Sequence, residues 1–268
     1  MPYDFSSISL DMSKPSPVVQ ALIDPVGTAR VVKRLAAFAG LTTLHLRRVP
    51  HDVQQAAMNQ LAYEWAQVLL SGMGMALHVD GEPVRDSGAL LVSNHRSYVD
   101  IIALLASTPC CFLAKGDVAD WPVLGKAAVR AGTVFVDRKA KDSRKAARDM
   151  MRGLLEDGHT VVVFPEGTTY PGPGCSDFRQ GAFETAMEAG VPVLPVAIEY
   201  PHPEDAWGDE GFVEHFSDRF RQPKLNIHLH FGPALTGEDP EILVKESRDW
   251  ISGRLHRLWD EFEVARKP

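Results

Sequence analysis

The sequence predicts an α/β fold: a mainly parallel, mixed sheet flanked by helices and preceded by an N-terminal two-helix hairpin. Three observations predict it. From residue 88 onward, apolar runs of strand length alternate with segments of helical periodicity, the pattern of a parallel sheet covered by helices. Two longer helical patterns precede that alternation, divided near Pro50. The chain has 268 residues, 45% hydrophobic and 24% charged, enough apolar material for one large α/β domain with an appendage.

Residues 1–27 are rich in serine and proline and read as an irregular segment. Residues 28–74 read as the hairpin. Its first helix, 29–48, carries Arg30, Lys33, Arg34, Arg47 and Arg48 around the weakly apolar run Leu35 to Leu41. That run is too short to span a bilayer, which takes roughly 18 uninterrupted apolar residues. Cationic flanks suit a helix lying on an anionic lipid surface, and they also suit an amphipathic helix packed on a domain. The second helix runs from His51 to about Leu70, and Met73-Gly74 ends it.

Residues 75–268 form the main domain. It opens with a short strand, Met75–Val79, and a turn at Asp80-Gly81. Strand Ala89–Val92 precedes helix 97–106, and strand Cys111–Ala114 precedes a short helix around Pro122–Ala131. Strand Thr133–Val136 precedes helix 142–156, and strand Thr160–Phe164 precedes a long loop and helix Gly181–Ala189. Strand Val193–Glu199 follows, then a loop-like stretch, 201–224, with a short helix. Leu225–Phe231 alternates with period two and reads as a half-buried strand. A helix from Pro240 to about Arg266 closes the chain.

The net charge of −7 argues against a nucleic-acid partner. It leaves a membrane surface open, because local basic patches decide that contact. Cys110, Cys111 and Cys175 show no disulfide or zinc spacing, and a reducing compartment is expected. Cys110 and Cys111 lie in an apolar run, whereas Cys175 sits in a Gly/Pro-rich loop and is expected to be more exposed. Met1 to Phe5 lacks the basic start and apolar core of a signal peptide. His228 and His230 share one strand face without a third metal ligand nearby, so they read as polar strand residues and no metal site is expected.

The stretch Leu90 to Asp100 reads as a buried strand ending at Asn94-His95, then a helix beginning near Ser97, its expected N-cap. On one continuous helix, five steps would set His95 and Asp100 about 140° apart, at ~100° per residue. They meet if His95 sits in the turn before the helix and Asp100 in its first turn. An Asp there bonds one imidazole nitrogen and leaves the other free as a base. That is the base and orienter of a triad whose nucleophile comes from the substrate, most simply a hydroxyl. The same residues also fit a His that caps the strand and an Asp that favours a helix N-terminus.

Ligand sites in such folds lie beyond the carboxyl ends of the strands. Arg138 follows the Gly132–Val136 segment there, and its guanidinium could hold a phosphate or carboxylate by two parallel bonds. Strand Val161–Phe164 ends in Pro165-Glu166-Gly167, which throws Glu166 out at the same sheet edge, where it could bond an acceptor's hydroxyls. The apolar run Val191 to Ala197 fits a lipid-groove wall or a plain core strand.

These segments, in this order, resemble the glycerolipid acyltransferase family that includes the lysophosphatidic acid acyltransferases. The family's Asn-His-x4-Asp block matches Asn94, His95 and Asp100. Its Gly-x2-Phe-x2-Arg run matches Gly132, Phe135 and Arg138, and its Phe-Pro-Glu-Gly-Thr block matches Phe164 to Thr168. An apolar Val-Pro-x2-Pro segment matches Val191, Pro192 and Pro195. The resemblance spans about residues 75–235. It implies transfer of an acyl chain from coenzyme A or acyl carrier protein, as substrates rather than cofactors, to a lysolipid hydroxyl. Acceptors other than lysophospholipids, such as a lyso-ornithine lipid or a pigment alcohol, stay open, as does thioester-independent transacylation. A non-catalytic lipid- or carrier-binding protein is the rival from another class.

By this resemblance His95 is the general base and Asp100 its orienter. Arg138, Glu166, Gly167 and Thr168 bind substrate, and Asn94, Ser97, Phe135, Pro165 and Pro195 support them. It also implies that the hairpin docks the protein on the cytoplasmic side of a membrane, peripherally or monotopically. Two departures matter: many members have Arg after Glu-Gly-Thr, where Thr169 stands here, and the loop Tyr170 to Cys175 is Pro/Gly-rich and lacks the usual charges, which leaves the acceptor contacts there open.

Overall fold

The computed structural model describes residues 22–49, 53–83, 88–116, 133–136 and 141–266. The expected helix around Pro122–Ala131 lies outside them. In chain order the elements begin with α1 (Pro25–Arg48), α2 (Gln55–Met73), β1 (Met75–Asp80), β2 (Leu90–Ser93) and α3 (Val99–Ser107). Next come β3 (Cys111–Lys115), β4 (Val134–Val136), α4 (Lys141–Glu156), β5 (Val161–Val163) and α5 (Gly181–Glu188). The last are β6 (Val193–Glu199), a single 3-10 turn at Pro203–Asp205, α6 (Phe212–Arg221), β7 (Leu225–Phe231) and α7 (Pro240–Arg266).

Seven strands make one sheet in the order β1-β7-β6-β2-β5-β3-β4. Every neighbouring pair is parallel except β6 and β7. The mainly parallel mixed sheet expected from the sequence is the one observed. All four residues of the central strand β2 are buried, as they must be when helices cover both faces. Alternate residues feed two cores. Leu91, Val162 and Leu194 pack with Leu69, Met73 and Leu104 of α2 and α3. Leu90, Val92, Val161 and Val163 pack with Met151, Phe183, Ile251 and Leu255 of α4, α5 and α7.

The hairpin differs from its expected outline at both helix starts. α1 begins at Pro25, so residues 25–27 are helical rather than irregular. Pro25 occupies the first turn, where its missing N–H costs nothing, and Asp24 Oδ1 accepts the Gly27 N–H at 2.8 Å. α2 begins at Gln55, not His51, and residues 51–52 lie outside the described set. It ends at Gly74, whose φ of +68° suits only a residue without a Cβ, and a Cβ there would also collide with the Arg34 guanidinium.

Arg34 is not a solvent-facing flank of α1. It is 5% exposed, and its guanidinium donates to the carbonyls of Phe220 (2.7 Å), Gln222 (2.6 Å) and Pro223 (2.7 Å). Those are carbonyls at and just past the end of α6, which the helix itself leaves unpaired. A cation there also opposes the negative end of the helix dipole. Burial pulls the Arg34 pKa down, with Arg30 adding to the effect. The hairpin is thereby fastened to α6. Among the described residues no helix is long and apolar enough to cross a membrane.

Candidate active site

The centre of the sheet delivers residues 94–100 beside the ends of β5 and β6, since Val92 lies in register with Val163 on one side and Pro195 on the other. Asn94 holds the chain there after β2 stops. Its Nδ2 donates to the Ile198 carbonyl at 2.9 Å, and its Oδ1 accepts the Ile198 N–H at 2.9 Å. The side-chain amide replaces a peptide in the ladder with β6 while its own backbone turns away.

His95 then faces Asp100 across the turn, with Nδ1 2.8 Å from Asp100 Oδ2. The same oxygen accepts the backbone N–H groups of Arg96 (2.6 Å) and Ser97 (2.8 Å). Oδ1 accepts the Tyr200 hydroxyl at 2.6 Å. With two fixed N–H donors on Oδ2, Asp100 presents an acceptor to the imidazole. Nδ1 is therefore the donor in this contact. The Phe164 ring stacks on the imidazole, centroids 3.9 Å apart and planes 14° apart, and restrains its tilt. The His95 side chain keeps 18% exposure while that of Asp100 has none. The imidazole is therefore partly open to solvent, and the carboxylate that holds it is not.

The helix cap falls one residue later than expected, at Tyr98 rather than Ser97. α3 starts at Val99, and it is the Asp100 carboxylate that reaches back to the Ser97 and Arg96 N–H groups. Ser97 Oγ accepts only a long bond, 3.4 Å, from Val99 N.

Glu166 is also corrected. It is buried, 6% exposed, rather than thrust out to solvent. The turn Phe164–Gly167 closes with a 3.1 Å bond from Gly167 N–H to the Phe164 carbonyl, with Pro165 at its second position and Gly167 at φ +81°. This folds Glu166 inward. Neither carboxyl oxygen has a partner of hydrogen-bond geometry among the described residues. Burial pushes its pKa up to about 7, against the pull of Arg96 and Ser176 and with the push of Asp100. Thr168 is exposed and Thr169 half-buried. Pro195 is buried within β6, so the run around it is a core strand. Cys175 is half-buried and, as expected, more exposed than the buried Cys110 and Cys111, and burial pushes its thiol up to about 12. Gly132 and Arg138 lie outside the described residues, and Phe135 is described only as backbone of β4.

Among the described residues no three His, Cys, Asp or Glu side chains are grouped to hold a metal. His78, His228 and His230 instead form a ladder of rings on β1 and β7, with His78 and His228 stacked at 4.6 Å and His228 and His230 6.5 Å apart.

A family model described as Acyltransferase matches residues 76–199, the segment that holds His95, Asp100, Glu166 and Glu199. A lyso-ornithine lipid O-acyltransferase of Pseudomonas aeruginosa is 32% identical over 215 residues, which is 75% of this chain and 83% of that protein. The chain belongs to the glycerolipid acyltransferase family. Its place there makes it an O-acyltransferase. A 1-acyl-sn-glycerol-3-phosphate acyltransferase of Neisseria meningitidis is 34% identical over 169 residues. That match spans 62% of this chain and 66% of the Neisseria protein, just under two thirds of its length. The crystal structure of the acyltransferase PlsC from Thermotoga maritima shares the fold, with a TM-score of 0.65, 20% identity and coverage of 90% of this chain and 97% of that one.

Two buried residues of this acyltransferase's site were not singled out by sequence reasoning. Arg96, inside the Asn-His-x4-Asp block, has no exposure. Its Nε and Nη2 donate to Glu199 at 3.1 and 2.7 Å, and its Nη1 donates to the Tyr170 and Gly172 carbonyls. Burial opposes the Arg96 charge, but Glu199 and then Glu166 outweigh it and the pKa rises. Tyr170 N–H in turn donates to the His95 carbonyl at 2.8 Å, and Trp207 N–H to the Arg96 carbonyl at 2.7 Å. The ion pair thus straps the loop after Glu166 onto the histidine segment. The available signal was Glu199 itself, a carboxylate closing an otherwise apolar strand and so requiring a buried cation.

Proposed function

We propose that His95 acts as the general base of a thioester-dependent lysolipid O-acyltransferase. The observation that carries this is the 2.8 Å contact between His95 Nδ1 and a fully buried Asp100, on an imidazole that itself keeps 18% exposure and does not use Nε2 in that contact. Nε2 takes the proton of an acceptor hydroxyl as that oxygen attacks the thioester carbonyl. Asp100 stabilises the imidazolium that forms. A backbone N–H of the motif turns meets the developing oxyanion. The carbon–sulfur bond then breaks, and the departing thiolate recovers the proton from His95. The products are the ester and the free thiol. Coenzyme A and acyl carrier protein are the candidate thiol carriers.

The acceptor on this reading is a lysophospholipid such as 1-acyl-glycerol-3-phosphate, with Arg138 on its phosphate and Glu166, Gly167 and Thr168 around its hydroxyls. A buried carboxyl whose pKa burial pushes up to about 7 supports a ligand contact at Glu166. A second reading, transfer to a lyso-ornithine lipid, is favoured by Thr169 in the place of the family's arginine. It is favoured too by the Pseudomonas relative, whose match covers more of both proteins than the Neisseria one. A set of lysolipid acceptors, a labelled acyl thioester and mass spectrometry of the product decide between them. Under the same conditions His95→Ala is expected to release no thiol above background. Wild-type thiol release by that variant removes His95 as the base.

Membrane docking by the hairpin is supported by exposed apolar residues on α1, Val26 (59%), Val32 (61%) and Leu35 (46%), beside the basic Lys33. Flotation with anionic and with neutral vesicles tests it. The protein is expected to rise with the anionic set, and failure to rise with either refutes docking.

A further inference from the structure

We propose that Tyr200 is a positioning residue for the reaction: its hydroxyl holds Asp100 Oδ1, and through that carboxylate it fixes the aim and strength of the His95 base. The inference rests on the reading of His95 as base.

Tyr200 follows the last residue of β6 and is 3% exposed. A buried tyrosine hydroxyl needs a partner, and this one gives its proton to Asp100 Oδ1 at 2.6 Å. The donors on Asp100 are unevenly shared. Oδ2 receives the imidazole and two backbone N–H groups, and Oδ1 receives Tyr200. The backbone donors come from the turn that Asp100 itself caps, so they would survive most local adjustments. Among the described residues, Tyr200 is the donor that reaches the carboxylate from outside that turn. It ties the orienter to β6, the strand that Asn94 also grips at Ile198. The base and its orienter are therefore referenced to one rigid element.

Burial, and then the charge and hydrogen bond of Asp100, push the Tyr200 pKa well above its ordinary value. The hydroxyl is a donor throughout the working range and not a proton relay. Other charged or titratable groups face this corner: Arg96 and Glu199, paired with each other; Glu166 from the β5 turn; Tyr98 of the turn into α3; and Asp205, paired with Arg219 at 3.3 Å. Wild type and a Tyr200 variant share all of them, so a difference between the two profiles isolates the tyrosine.

Removing the hydroxyl concentrates the carboxylate's charge on the imidazole, and the base then takes up a proton at higher pH. It also frees the carboxylate to turn, and small misplacements of catalytic groups are costly. In Tyr200→Phe the acidic limb of the kcat/KM profile is expected to move up by roughly half a unit to one unit. At the plateau kcat is expected to fall about tenfold, with KM for both substrates unchanged. A 3-fluorotyrosine at position 200 keeps the ring and sharpens the donor, and it moves the limb to lower pH even if the phenylalanine variant does not fold. An unmoved limb in whichever of the two variants folds overturns the inference, since packing alone would lower the rate equally at every pH. The two readings fail separately. Wild-type activity in His95→Ala removes the base, whereas an inactive His95→Ala with an unmoved limb at position 200 removes only the role of Tyr200.

Discussion

Glu199→Gln is the sharpest test of how the site is held. Arg96 is fully buried and Glu199 is 2% exposed. The carboxylate accepts the guanidinium at 3.1, 3.1 and 2.7 Å, the Trp259 indole N–H at 2.7 Å and the Tyr200 N–H at 3.1 Å. Glutamine keeps the shape but deletes the charge, and it turns an NH2 toward groups that are themselves donors. Breaking a buried pair by neutralising one partner typically costs about 3–5 kcal/mol, because the other charge stays buried. At roughly 2–4 °C per kcal/mol for a large domain, Tm should fall by about 6–20 °C. Thermal unfolding followed by circular dichroism measures this. The double variant Arg96→Met, Glu199→Leu removes both charges and should unfold above the single variant, although the Tyr170 and Gly172 carbonyls lose their donor. A Glu199→Gln protein melting within about 2 °C of wild type, a change worth under 1 kcal/mol, would refute this account of the pair.

Arg34→Ala removes three hydrogen bonds to the end of α6 and should cost about 2–4 kcal/mol, read as a lower urea midpoint with an unchanged m-value. Hydrogen exchange should rise first in α6 and the facing turn of α1, and equal protection in both proteins would count against the fastening. Burial, then His78 and His230, lower the His228 pKa from 6.5 to about 4. The unfolded chain therefore holds a proton that the folded one rejects between those pH values. The contribution is fully present above about pH 6.5 and is lost as pH falls toward 4. Discounted for a half-exposed ring, it is worth about 1–2 kcal/mol. Between pH 7 and 4 the wild type should lose that increment of unfolding free energy and His228→Phe should not, and an identical slope in both proteins would refute it.

The sheet was legible because its strands obey a simple rule. Buried parallel strands must be apolar on both faces, so β2, β5 and β6 stand out as uninterrupted runs between helical patterns. β6, β7 and α7 were placed with their observed ends. Boundaries slipped where a local polar contact outranked the apolar pattern. α1 begins at Pro25 because Asp24 caps it, and α3 begins at Val99, where the Asp100 carboxylate holds the Arg96 and Ser97 N–H groups of the turn before it.

The site divides along the same line. His95 and Asp100 were legible because they are neighbours in sequence, and five residues of spacing allow only a turn geometry. Arg96–Glu199 and Asp100–Tyr200 span 103 and 100 residues. Their pairing depends on β6 lying beside β2, which no local pattern encodes. What the sequence does hold is the chemical requirement. An arginine next to a buried strand end, and a carboxylate at the end of an apolar strand, are each untenable alone in a low-dielectric interior. Once the sheet order makes β2 and β6 neighbours, each becomes the other's solution, and the same adjacency brings Tyr200 to Asp100. Strand order therefore assembles His95, Asp100 and the strap on the following loop in one step, which is why this pair and its supports come from segments a hundred residues apart.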